Sequence, residues 1–164
     1  MMPDPLHLLK REHELILDHL RMIETTVAPS LLRHHAPTEP EWKTLRELFR
    51  FFTGRVAIHF NREAVLMAAL GRSFGRERSA RQQFEGLRRE HRALRTDAVA
   101  IRKRLKEKTA AASEVADIDP CRIRSFVQRY RAQLSCEERI LFVLADLRLT
   151  AEQRRQISHR MLQI

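Results

Sequence analysis

Apolar residues recur at three- and four-residue spacing along four long stretches of the chain, the period of one buried helix face. The first stretch gives Leu6, Leu9, Ile16, Leu20, Ile23 and Val27; the second gives Leu45, Phe49, Phe52, Val56, Leu66 and Leu70. The third gives Phe84, Leu87, Leu94, Ala98, Ile101 and Leu105; the fourth gives Ile123, Phe126, Tyr130, Ile140, Leu144 and Leu147. Each stripe has a gap. The gaps close when His13, His59 with Glu63, His91, and Gln133 with Glu137 are counted as seam positions. Every seam is then continuous and apolar apart from one polar place.

Turn chemistry marks the ends of these stretches. Asp4-Pro5 reads as an N-cap followed by a first-turn proline, opening a helix that runs to about Ala28. The proline-rich segment PSLLRHHAPTEPE reads as a loop. A second helix is expected from about Glu41 to Leu70, ending at Gly71, and GRSFGRERS links it to a third from about Ala80 to Lys108. TAAASEVADIDP is the next connection, and Asp119-Pro120 opens a fourth helix as Asp4-Pro5 opened the first. Thr150, with Gln153 completing a capping box, starts a short fifth piece. The fold this predicts is all-α: an antiparallel up-down-up-down four-helix bundle with a short C-terminal helix, one domain over residues 1–164. Few glycines and a dominance of Leu, Ala, Arg and Glu agree with it.

The polar places share a depth. In such a bundle, at about 1.5 Å of rise per residue, His13 lies roughly 12 Å from one common end and His59/Glu63 roughly 14 Å from it. His91 falls near roughly 16 Å and Gln133/Glu137 near roughly 20 Å by the same rise. Four seams therefore bring their polar residues to one layer. An internal echo supports the pairing: Arg11-Glu12-His13 matches Arg89-Glu90-His91, and His59-x-x-x-Glu63 matches Gln133-x-x-x-Glu137.

Two ionised carboxylates in one buried layer repel each other and are expensive to desolvate. Neutral imidazoles do not offset that charge, whereas a divalent cation does, and imidazole nitrogens and carboxylate oxygens are its natural ligands. The mixed donors suit iron, manganese or zinc better than calcium. No cysteine lies in a seam, which argues against an iron–sulfur cluster or a thiolate zinc site. The competing reading is a scaffold bundle without metal, its polar layer satisfied by arginines and water.

The formal net charge is +10, and the stretch from Gly71 to Lys108 carries much of the basic surplus. A basic interaction protein docking on nucleic acid is a further alternative. No helix-turn-helix or similar signature accompanies the charge, so arginines solvating an outer helix face are preferred and nucleic acid is not an expected partner. No stretch is long and apolar enough to span a membrane, and the first residues lack a signal-peptide pattern. Cys121 and Cys136 would stand about 22 Å apart on one helix, beyond disulfide reach. The expected location is the cytoplasm.

These residues carry a resemblance. The chain resembles the hemerythrin-like (HHE cation-binding) domains, whose helices hold a histidine in the first, HF-x-x-E in the second, a histidine in the third and H-x-x-x-EE-x-x-LF in the fourth. The corresponding stretches here are KREHELI around His13, HFNREAVL with His59 and Glu63, RREHRAL around His91, and QLSCEERILF with Gln133 and Glu137. The tail LADLRLTAEQRRQISHRM is also similar to that family's C-terminal end. The resemblance implies a non-haem di-iron centre bridged by two carboxylates and an oxygen species, with His13, His59, Glu63, His91 and Glu137 as ligands. It implies binding or sensing of oxygen, nitric oxide or a related small molecule, or iron handling. The sequence shows no general acid, nucleophile or substrate pocket, so a dedicated enzyme is not expected.

The chain departs from the pattern at three places. Gln133 replaces the fourth-helix histidine and is counted as a weaker, oxygen-donating metal ligand. Ala64 replaces a second acidic residue, and Leu87 stands where oxygen carriers have a further histidine. A reversible oxygen carrier is therefore not expected, and a di-iron site, a mononuclear site and a member that has lost its metal stay open. His34 and His35 are read as a solvated loop pair, although either would be a substitute donor. His7, His19 and His159 are read as surface residues, Glu138 as solvent-facing or a partner to the ligands, and Tyr130 as core. Cys136 is read as a plain thiol.

Overall fold

The structure, a computed structural model, describes residues 3–74, 77–110 and 119–164. Seven α-helices and one π-helical turn account for nearly all of them, with no strand among the described residues. The first helix, α1 (Pro5–Arg33), is capped by Asp4, whose side chain accepts the Leu6 N–H at 2.8 Å. It runs five residues past the expected end, straight through Pro29. A proline inside a helix forfeits one hydrogen bond and costs about 3 kcal/mol. Here Val27 and Ser30 are buried and Leu31 packs on the core, which offsets that loss. His34, in the left-handed region at φ 52°, closes the helix.

The expected second helix is two. Helix α2 (Glu39–Thr53) starts from a Thr38/Glu41 capping box, and α3 (Arg55–Ser73) follows directly after Gly54. Gly54 adopts φ −115° and ψ −84°, and a Cβ there would stand 3.2 Å from the Arg50 carbonyl oxygen. The seam nevertheless passes the break intact: Phe49, Phe52, Val56, His59 and Glu63 are all buried. At the far end Gly71 does not stop α3. Phe74 carries the apolar stripe past it and packs edge-on against Phe84.

Helix α4 (Arg78–Ala110) matches its expected span closely, and most of the following connection lies outside the described residues. Helix α5 (Pro120–Glu137) is capped by Asp119 as expected. Beyond Glu137 the sequence pattern misleads. A π-helical turn at Glu138–Phe142 inserts one residue before α6 (Val143–Arg148). Leu141, Phe142 and Ala145 are buried in consequence, Ile140 and Leu144 only partly so, and Leu147 is 74 % exposed. Helix α7 (Ala151–Leu162) begins at the expected Thr150/Gln153 capping box.

Helix α1 packs on α2, α3 and α5, and α4 packs on the same three, so α1, the α2–α3 pair, α4 and α5 form the four columns of the bundle. Helix α7 lies across α1 and α3. Two apolar clusters fill the interior. One contains Ile16, Val56, Phe60, Leu94, Tyr130 and Leu134; the other contains Leu9, Leu66, Leu87 and Leu141. The six polar seam residues fall between them on every column. No helix among the described residues is long and apolar enough to cross a membrane.

Candidate metal centre

His13, His59, Glu63, His91, Gln133 and Glu137 are each at most 6 % exposed. His59 and Glu63 share a face because four residues make roughly one helical turn. One donor atom from each of His13, His59, Glu63 and Glu137 falls within 4.8 Å of the others. His91 meets the same carboxylates from the opposite side, its Nε2 3.3 Å from Glu63 Oε2 and 2.5 Å from Glu137 Oε1.

The two carboxylates each face two ways. Glu63 turns Oε1 to His13 at 3.3 Å and His59 at 3.4 Å, and Oε2 to His91. Glu137 turns Oε2 to His13 at 3.4 Å and Oε1 to His91 and Gln133, both at 2.5 Å. The Gln133 side-chain amide donates to Glu137 in this arrangement, so it holds that carboxylate as well as lying at the layer's edge.

Outer carboxylates fix two of the imidazoles. His59 Nδ1 lies 2.9 Å from Glu12 Oε2, and His13 Nδ1 lies 3.1 Å from Glu138 Oε1. A histidine that donates Nδ1–H outward presents an Nε2 lone pair inward, the arrangement common at protein metal sites. Glu12 is itself held by Arg62, whose Nε also donates to the Met161 carbonyl oxygen at 3.1 Å. Phe142, placed by the π-helical turn, stacks on His13 at a centroid distance of 5.0 Å. Phe60 stacks on His91 at 4.2 Å.

The electrostatics of the layer are set by its own side chains. Burial pushes the Glu137 carboxyl up, and the Glu63 charge pushes it further. Burial would also raise Glu63, but His59, His13 and His91 hold it low. His59 is raised to about 10: burial opposes its charge, yet Glu63, Glu12 and Glu137 outweigh burial. Within the layer, three buried side-chain atoms, His59 Nε2, Glu63 Oε2 and Glu137 Oε2, have no hydrogen-bond partner among the described residues. Each has only a longer ion-pair contact, at 3.3 to 3.4 Å, and buried polar atoms without a hydrogen bond call for an explanation. A cation among them supplies one, so the residues present fit a metal ion.

The arginine-satisfied layer is not what forms. The ion pairs of Glu63 and Glu137 among the described residues are with histidines alone. A family model, the hemerythrin HHE cation binding domain, matches residues 4–145. The chain belongs to that family. Among curated proteins and among solved structures, none matches it. This hemerythrin HHE domain is thus a cation-binding domain with a buried His/Glu cluster able to hold a metal ion.

The other sequence-flagged residues sort cleanly. His7, His34, His35 and His159 are exposed and are not part of the buried layer. His19 is half-buried and stacks on Phe51 at 3.6 Å. Glu138, exposed yet bonded to His13, is a partner to a ligand candidate. Cys121 and Cys136 are both free. Glu12 lies one residue off the stripe, so the helical period does not single it out. Its counterpart in the internal echo, Glu90, bonds Arg129 instead, at 2.7 and 3.1 Å, so the repeat does not extend to this role.

Proposed function

We propose that this hemerythrin HHE domain holds a non-haem iron centre and binds or senses a small ligand such as oxygen or nitric oxide, or handles iron itself. His13, His59, Glu63, His91 and Glu137 are the ligands in this reading, with Gln133 as an auxiliary donor. The observation that carries it is the two-faced setting of Glu63 and Glu137, each with one oxygen toward His13 and the other toward His91. Two carboxylates set this way would offer oxygens to a cation on either side. Zinc or manganese would accept the same donors, but iron in such a site also supplies one-electron chemistry and an open position for a diatomic ligand.

The two positions are unequal. His13, His59 and one oxygen of each carboxylate would hold an ion at the first. His91 is the one imidazole at the second, where Gln133 offers only an amide. The first position should hold its ion firmly and the second loosely. This asymmetry favours sensing or iron handling over reversible oxygen carriage. A reducing cytoplasm suits both the free thiols and the iron.

Elemental analysis with an absorption spectrum on protein from iron-supplied cells tests the reading. Wild type should carry one to two iron ions per chain, His59→Ala should lose the tightly held ion, and Gln133→His should raise occupancy of the second position. Equal metal content in all three proteins, or iron-free wild type, would overturn it.

A further inference from the structure

Beside the metal layer a cleft of about 300 Å³ opens between α1 and the α2–α3 pair, straddling the Gly54 break. Its volume is at the small end of cavities that hold small organic ligands, roughly 300–1,000 Å³. The walls are mostly apolar: Leu15, Ile16, Phe51, Val56 and Ile58. Two of these, Leu15 and Ile58, are about two-fifths exposed, at 40 % and 39 %, and so present apolar surface to the cleft. The inner wall is Glu12 and His59, and the polar rim is Arg55 and Arg62.

The charges in this cleft do not cancel. Arg62 is committed to Glu12 and to the Met161 carbonyl oxygen. Glu12 has both oxygens occupied, one by Arg62 and one by His59. Arg55 is exposed, and its guanidinium has no ion pair or hydrogen bond among the described residues. A single free guanidinium above an apolar groove matches a single anionic head on an apolar body. A planar guanidinium binds a carboxylate through two parallel hydrogen bonds, which a neutral head group cannot reproduce. A dianion would need a second free cation, which the cleft lacks. Arg55 and His59 lie one helical turn apart on α3, about 6 Å along the axis, so the body reaches the inner wall with roughly four to six carbons.

We propose that this cleft binds a small aliphatic monocarboxylate, its head on Arg55 and its chain against Leu15, Val56 and Ile58. The site does not require the metal, and its test is run without one. Chelator-stripped full-length protein, labelled with ¹³C at Ile, Leu and Val methyls, is titrated with sodium hexanoate and followed by NMR. Saturable shifts are expected at Leu15, Ile16, Val56 and Ile58, while the Ile157 methyls stay still. Arg55→Gln, at an exposed position, should weaken binding at least tenfold, and 1-hexanol should bind wild type at least tenfold more weakly than hexanoate. Unchanged affinity in Arg55→Gln, equal binding of the alcohol, or shifts scattered outside the cleft would each overturn the proposal.

Discussion

Glu12 and His59, 47 positions apart in sequence, meet at 2.9 Å between a half-buried carboxylate oxygen and a buried imidazole nitrogen. The contact fixes which way the ring faces: with Nδ1 turned to Glu12, Nε2 points into the layer beside Glu63. Burial would raise the Glu12 carboxyl, but His59 and Arg62 hold it below its ordinary range, so it stays charged as the ring's partner. Glu12→Gln should therefore weaken metal binding about 10- to 100-fold, the usual cost of losing an outer partner to a ligand. Competition against a chromophoric chelator measures this, with Glu14→Gln on the exposed face of α1 as the control. Equal affinity in both variants would mean that packing alone orients His59.

Metal binding should release protons. Without a cation the His59 imidazole, raised to about 10, is protonated at neutral pH, and an incoming ion must displace that proton. Apparent affinity should therefore climb as pH rises toward about 10. The stability of the metal-free protein runs the other way. The folded value lies above the ordinary 6.5, so the contribution from His59 is complete below 6.5 and lost as pH rises through about 10. Calorimetric titration in two buffers of different ionisation enthalpy reads the released protons directly, and identical heats in the two buffers would rule the displacement out.

Tyr130 is 1 % exposed, and its hydroxyl has no hydrogen-bond partner among the described residues. Burial, together with the charges of Glu137 and Glu63, pushes the phenol well above its ordinary range, so it is neutral. Its ring packs with Phe52, Phe60 and Phe126, which is the work of a core residue. A buried polar group left unpaired costs roughly 1–3 kcal/mol, so Tyr130→Phe should stabilise the metal-free protein by on the order of 1 kcal/mol. Urea denaturation with chelator present gives the sign. A loss of stability instead would show that the hydroxyl is bonded within the polar layer.

Much of this was legible in the sequence because helical periodicity is a strong signal over long stretches. The seams of α1, of the α2–α3 pair and of α4 are buried residue for residue, and the polar places do share one layer. Caps at Asp4, Asp119 and Thr150 were also readable, since each places its side chain by local geometry. Other features were not. Pro29 and Gly71 carry strong local signals against helix, and tertiary burial around Val27 and Phe74 overrides them. Gly54 breaks a helix without disturbing its stripe, so periodicity has nothing to register. Glu12 acts across the bundle, and a pattern confined to one helix face does not see a partner on the next.

The π-helical turn at Glu138–Phe142 is the remaining feature hidden from an α-helical reading, and it makes a prediction of its own. Such turns amount to one extra residue in an α-helix and often occur beside functional sites. The apolar positions agree with that account: counted from Glu137, the buried Leu141, Phe142 and Ala145 lie one residue beyond the α-helical seam. Deleting the exposed Arg139 should restore an ordinary α-helix and bring those three side chains into the regular seam, still facing the core. Stability should then change by no more than about 1 kcal/mol, as for surface changes that spare the core. Deleting the exposed Ala132, inside regular α5, is the contrasting case. It rotates one side of the helix by about 100° against the other, driving Gln133 and Glu137, or the residues before them, out of the layer. That variant should fail to form a cooperative fold. Thermal unfolding followed by circular dichroism compares the two deletions, and equal damage from both would show that the turn is not an inserted residue.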